Sequence, residues 1–112
     1  MREFQTKYGY KGLFSWFNNG ARGAYIPDWG DQGHVVSFFD NGNLLTSLAA
    51  VIGNLQGTAE AALAKEIMDD MIPGFQEMVD PSRNLFYGGF RFQRDATSGV
   101  PISAQPLDFH VD

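Results

Sequence analysis

The sequence predicts a mainly helical fold, and three observations carry that expectation. Apolar residues at Leu44, Leu45, Leu48, Val51, Ile52 and Leu55 recur at the one-, three- and four-residue spacings of an amphipathic helix. A second set at Leu63, Ile67, Met71, Phe75 and Met78 repeats the pattern, and Gln56-Gly57-Thr58 separates the two. So short a connection places the helices antiparallel, as a hairpin of residues 39–56 and 58–79. Third, residues 1–34 hold eight aromatic rings and six glycines in no steady period, a stretch that needs a scaffold beneath it. The chain therefore reads as one partial domain: an aromatic and glycine-rich loop (1–34), a helical hairpin (35–79), then an extended segment and tail (80–112).

Taken in order, Val35-Val36-Ser37-Phe38-Phe39 suits either a buried strand or an extended entry to a helix. Asp40-Asn41-Gly42-Asn43 supplies residues of N-cap type for the first helix. Thr58 is the expected cap of the second, where Glu60 complements the positive end of the helix dipole. Pro73-Gly74 predicts a kink, or an end and restart. Asp80-Pro81-Ser82-Arg83 is a turn with proline second. Residues 84–92 read as a short hairpin-like extended element broken by Gly88-Gly89, and nothing after Gln93 predicts a defined element.

Composition excludes several functions. The net charge is −5 and the eight Lys and Arg are scattered, so neither a nucleic-acid backbone nor an anionic membrane surface is an expected partner. There is no cysteine, hence no disulfide, thiolate metal site or cysteine nucleophile. His34 and His110 show no metal-ligand spacing, so no metal or other cofactor is expected. No serine lies in a nucleophile elbow, and no glycine pattern cradles phosphate. Sixteen aromatic residues in 112 are more ring surface than a small domain buries. Some rings then pack on the chain's own core, while others face a ligand, the rest of a parent domain, or a second copy.

The candidate chemistry is saccharide recognition. Flat rings with a polar handle suit the apolar C–H faces of sugars, which marks Trp16, Phe17 and Trp29. Asp28 and Asp31 flank Trp29 as acids flank a ring at a sugar-binding edge, although acids so placed are more often part of a solvated turn. Asp40, between an apolar run and a helix start, is either a cap or a carboxylate aimed into a cleft, and the two roles are compatible.

Val36-Ser37-Phe38-Phe39-Asp40-Asn41-Gly42-Asn43-Leu44-Leu45 resembles the S-x-x-D-N/S-G-x-L segment of the glycoamylase-like and β-1,2-glucanase families. Residues 71–90 are similar to a second segment of those families through Asp80-Pro81, Leu85, Gly88-Gly89 and Phe90. The Gly12-to-Phe17 stretch suits their aromatic loop. Val79 stands where those families carry an aromatic residue, and Phe90 where they carry tyrosine. The resemblance implies an (α/α) toroid whose cup rim holds Asp40 as a catalytic group, with Trp16, Phe17, Asp28, Trp29 and Asn41 against an oligo- or polysaccharide. It also implies hydrolysis of a β-linked glucan in the periplasm or outside the cell. Their glutamate-bearing motif finds no match before Asp112, so the implied role is that of a partial, inactive segment; a non-catalytic binding module or a structural module is the alternative.

Overall fold

The computed structural model describes residues 1–19, 25–27, 34–94, 97–98 and 101–111. Among these residues three helices, α1 (Arg2–Tyr8), α2 (Phe38–Asn54) and α3 (Ala59–Glu77), combine with eight short strands. These are β1 (Phe17–Asn19), β2 (Tyr25–Pro27), β3 (His34–Ser37), β4 (Val79–Asp80), β5 (Leu85–Tyr87), β6 (Gly89–Arg94), β7 (Pro101–Pro106) and β8 (His110–Val111). The strands form an antiparallel β1–β2 pair and two three-stranded antiparallel sheets, β3–β6–β7 and β4–β5–β8.

This architecture corrects the expectation of a mainly helical toroid segment. A toroid repeats helical hairpins, whereas here strands follow α3 and pack with α2 and α3 around one core of helix and sheet residues. Phe90 and Phe92, two residues apart on β6, both turn into that core beside Val36 of β3. The hairpin-like element of 84–92 is also revised. β5 and β6 join different sheets, and Gly88 between them is where the chain changes sheet. Gly89 has φ +152°, and a Cβ there would lie 2.2 Å from the Val36 carbonyl oxygen, so a glycine lets β6 approach β3 at this end.

The two long helices lie where the apolar spacing predicts them, with differences in detail. Ser37, not Asp40, caps α2: its Oγ accepts from the Asp40 backbone N–H (3.3 Å). Ser-x-x-Asp is thus the helix-start signal, with the acid three residues inside. Thr58 caps α3 by accepting from Ala61 N–H (3.2 Å). α3 runs through Pro73, which lies on its exposed side. Gly74 is its buried neighbour, and a Cβ there would lie 2.3 Å from the Leu13 side chain, so the pair seats Leu13 rather than ending the helix. The buried stripe of α3 is Ala61, Ala64, Ile67, Met71 and Gly74, while Leu63 points outward. Small residues form much of that stripe, which is why large apolar positions alone misplaced its edge.

The N-terminal stretch is not uniformly a loop. α1 carries Phe4 onto Phe14 (ring centroids 6.2 Å apart, nearly parallel) and onto Tyr8. The buried Gln5 donates to Gly12 O (2.8 Å) and to Ile67 O (3.0 Å), tying α1, the following turn and α3 together. Phe4, Phe14, Phe90 and Phe92 are buried, and Tyr8, Tyr10, Phe38, Phe75, Phe86 and Tyr87 pack around them, so much of the aromatic excess makes the core. Among the described residues no helix is long and apolar enough to cross a membrane.

Leu48, buried on α2, tests this packing. Leu48→Asp is expected to unfold the chain or drive it into aggregates. An unpaired carboxylate buried there costs several kcal/mol, a large part of a domain's roughly 5–15 kcal/mol. A soluble variant with an unchanged far-UV circular dichroism spectrum overturns the packing.

Candidate functional site

The site forms where the first turn of α2 meets residues 13–16. Tyr10 and Leu13 exchange backbone hydrogen bonds (both 2.9 Å) across Lys11 (φ +47°) and Gly12 (φ +85°). Two central residues at positive φ are the pattern of a primed hairpin turn. The chain then runs along the edge of β3, where Trp16 N–H donates to the Val35 carbonyl (2.9 Å). On the facing side β3 ends at Ser37 and the helix begins at once, so Phe39, Asp40 and Asn41 leave consecutive positions of one helical turn.

Asp40 and Asn41 hold this segment at two points. The Trp16 indole N–H donates to Asp40 Oδ2 (2.8 Å). Asn41 grips the Phe14 backbone from both sides: its Oδ1 accepts from Phe14 N–H (2.7 Å) and its Nδ2 donates to Phe14 O (2.9 Å). The second Nδ2 hydrogen goes to Ser37 O (2.9 Å). With both donors used and 2% of its surface exposed, Asn41 is placed to shape the site and not to touch a sugar. Trp16 is the reverse case, with 46% of its surface exposed although its one polar atom is bonded. Phe39, next to Asp40, is 57% exposed.

The other sequence candidates fare differently. Phe17 opens β1, where its backbone partner is Pro27, and its side chain is not among those described. Asp28 and Trp29 lie outside the described residues. The hydrogen bond that the Asp40 carboxylate accepts among the described residues comes from an indole. Among the described residues no three His, Asp or Glu side chains gather as a metal site.

Two further features compete for attention. A cleft of about 280 Å³ is lined by Arg2, Gln5, Thr6, Gly9, Lys11, Gly12 and Asp70. Its cations are already paired, Arg2 with Glu66 and Asp70, Lys11 with Glu77. It therefore presents no uncommitted charge to an anion.

The second feature escaped sequence reading. His110 on β8 meets the buried Asp80 on β4 (Nε2···Oδ2 2.9 Å) while lying against the Tyr87 ring (5.2 Å). The other oxygen, Oδ1, accepts from Ser82 Oγ (2.7 Å) and Ser82 N–H (3.0 Å). The Asp80–Ser82 turn was legible locally, but thirty residues separate Asp80 from His110 and no local signal joins them. With both oxygens committed, Asp80 is a clamp between β4 and β8.

This clamp carries a pH dependence. The Ser82 hydroxyl, then His110 and the Ser82 N–H, hold the Asp80 carboxyl below its ordinary value against the opposing effect of desolvation. A carboxyl lowered in the folded state adds stability above the unfolded value, about pH 4, and loses it as pH falls through the folded value. Asp80→Asn is therefore expected to flatten the acid limb of stability against pH, read by urea unfolding between about pH 2 and 5. An acid limb as steep as the parent's shows that the loss arises elsewhere. No family model, curated protein or solved structure matches this chain.

Proposed function

We propose that this chain binds carbohydrate, non-catalytically, at the platform made by Trp16 and Asp40. The observation that carries the reading is the 2.8 Å bond from the Trp16 indole to Asp40, which fixes a ring that leaves nearly half its surface open. An indole so held adds about 1 kcal/mol of stability with or without a ligand. One held before ligand arrives spares the ordering cost of binding. A sugar needs an apolar face to cover and acceptors for its hydroxyls. Trp16 provides the first, and Oδ1 of Asp40, which accepts no hydrogen bond among the described residues, provides the second.

Phe39, next to Asp40 in the chain, is a second exposed ring. The resemblance of residues 36–45 to glucan-active families favours a β-linked glucan as the class of ligand, and the scattered cations agree with a neutral one. Hydrolysis is not part of the proposal, which rests on the ring and the bond that anchors it.

Titration with gluco-oligosaccharides of β-1,2, β-1,3 and β-1,4 linkage, followed by calorimetry, tests the reading. Binding of at least one of them is expected, and Trp16→Ala should weaken it by about tenfold or more, the loss of one stacked ring. Asp40→Asn keeps an acceptor for the indole and should bind more weakly only where the carboxylate itself meets a hydroxyl. Equal affinity in parent and Trp16→Ala, or no binding by the parent, overturns the proposal.

A further inference from the structure

We infer that Asn41 is the positioning residue of the Trp16 platform, acting through the backbone of Phe14 without contact to ligand. This deepens the carbohydrate reading and rests on it for its functional meaning.

A side-chain amide presents a donor and an acceptor side by side, as a peptide group does. Asn41 uses this to pair with Phe14 as a neighbouring strand would, taking its N–H and supplying its carbonyl. Its third bond, to Ser37 O one turn back, fixes the amide's own orientation on α2. Phe14 and Trp16 lie two residues apart on one short segment, and Asn41 and Asp40 are the consecutive helix residues that receive them. Asn41 sets where the segment sits, and Asp40 then meets the indole at 2.8 Å.

Trp16 N–H to Val35 O fixes the distance to β3, but a single backbone bond does not fix rotation about the strand. The two bonds at Phe14 do. Buried on every side, the Asn41 amide has nowhere else to turn, so the orientation of an exposed ring is decided by a residue that solvent does not reach.

The test reads Trp16 without ligand. Trp29→Phe leaves Trp16 as the sole tryptophan, and acrylamide quenching of its fluorescence is compared with and without Asn41→Asp. An ionised aspartate keeps the acceptor for Phe14 N–H but sets an oxygen against the carbonyls of Phe14 and Ser37. Quenching by acrylamide should rise in the folded variant, then return toward the parent value as acid protonates the buried carboxyl and restores a donor. With Trp29 retained, affinity for the same oligosaccharides should fall by about three- to tenfold, the range for a side chain that must be ordered on binding.

Unchanged quenching in a folded Asn41→Asp variant overturns the inference. If that variant does not fold, Asn41→Ser, with a smaller polar group, takes its place under the same criterion. Failure of both to fold makes Asn41 a residue of the fold alone and likewise overturns its assignment to the site. A parent that binds no oligosaccharide, with quenching as expected, removes the carbohydrate reading and leaves the positioning of Trp16 intact.

Discussion

The structure depends on a junction with no linker, where Ser37 is at once the last residue of β3 and the cap of α2. Its backbone pairs with Gly89, its hydroxyl accepts from Asp40 N–H, and its carbonyl accepts from Asn41. A helix that starts on the residue after a strand has little freedom in direction. Phe38 N–H, one of the first helical donors, goes to Gly88 O (3.0 Å), which ties the helix start to the point where β5 gives way to β6. The direction of α2, the seat of α3 against it and the pairing of the β3–β6–β7 sheet are therefore set together.

The interior adds a second constraint. Gln5, Asn41 and Asp80 are buried polar side chains, and each joins elements distant in sequence: α1 with α3, residue 14 with α2, β4 with β8. An unsatisfied buried amide or carboxylate is costly, while a satisfied one contributes about 1 kcal/mol net. Such groups add little to stability compared with Phe92, Met71 and the other buried hydrophobics, but they penalise every arrangement that strands them. Burial drives the collapse, and the polar side chains select one packing. By contrast the pairs Lys11–Glu77 and Lys65–Asp69 are exposed and lie in the range where solvent screening leaves little.

Function, in the reading proposed here, follows from the same economy. The chain hides most of its described rings and leaves Trp16, Phe39 and Phe109 well exposed. Of these, Trp16 is anchored by a hydrogen bond from its ring. That bond is made by the first turn of α2, so the element that organises the core also presents the ring.

The two long helices were legible from apolar spacing because a helix repeats within one segment, and Thr58 marked the start of the second, whereas the cap of the first was read at Asp40–Asn43 and lies at Ser37. Local chemistry also marked Asp80–Ser82 as a turn. Trp16 was singled out by residue type, and Asp40 by its place between an apolar run and a helix start. That they touch, that Asn41 belongs to the core, and that His110 closes on Asp80 depend on segments 24 to 30 residues apart. β7 shows the same limit: its Ser103 and Gln105 are exposed and alternate with little more than Ala104, so its strand state comes from pairing with β6. By itself the sequence determined the two long helices, the Thr58 cap and the chemical kinds of group available, since each follows from neighbours along the chain. Only the tertiary structure decided the sheets, the edge of the buried stripe on α3 and the meeting of indole with carboxylate, because strand pairing and buried polar contacts are made between residues that only folding brings together.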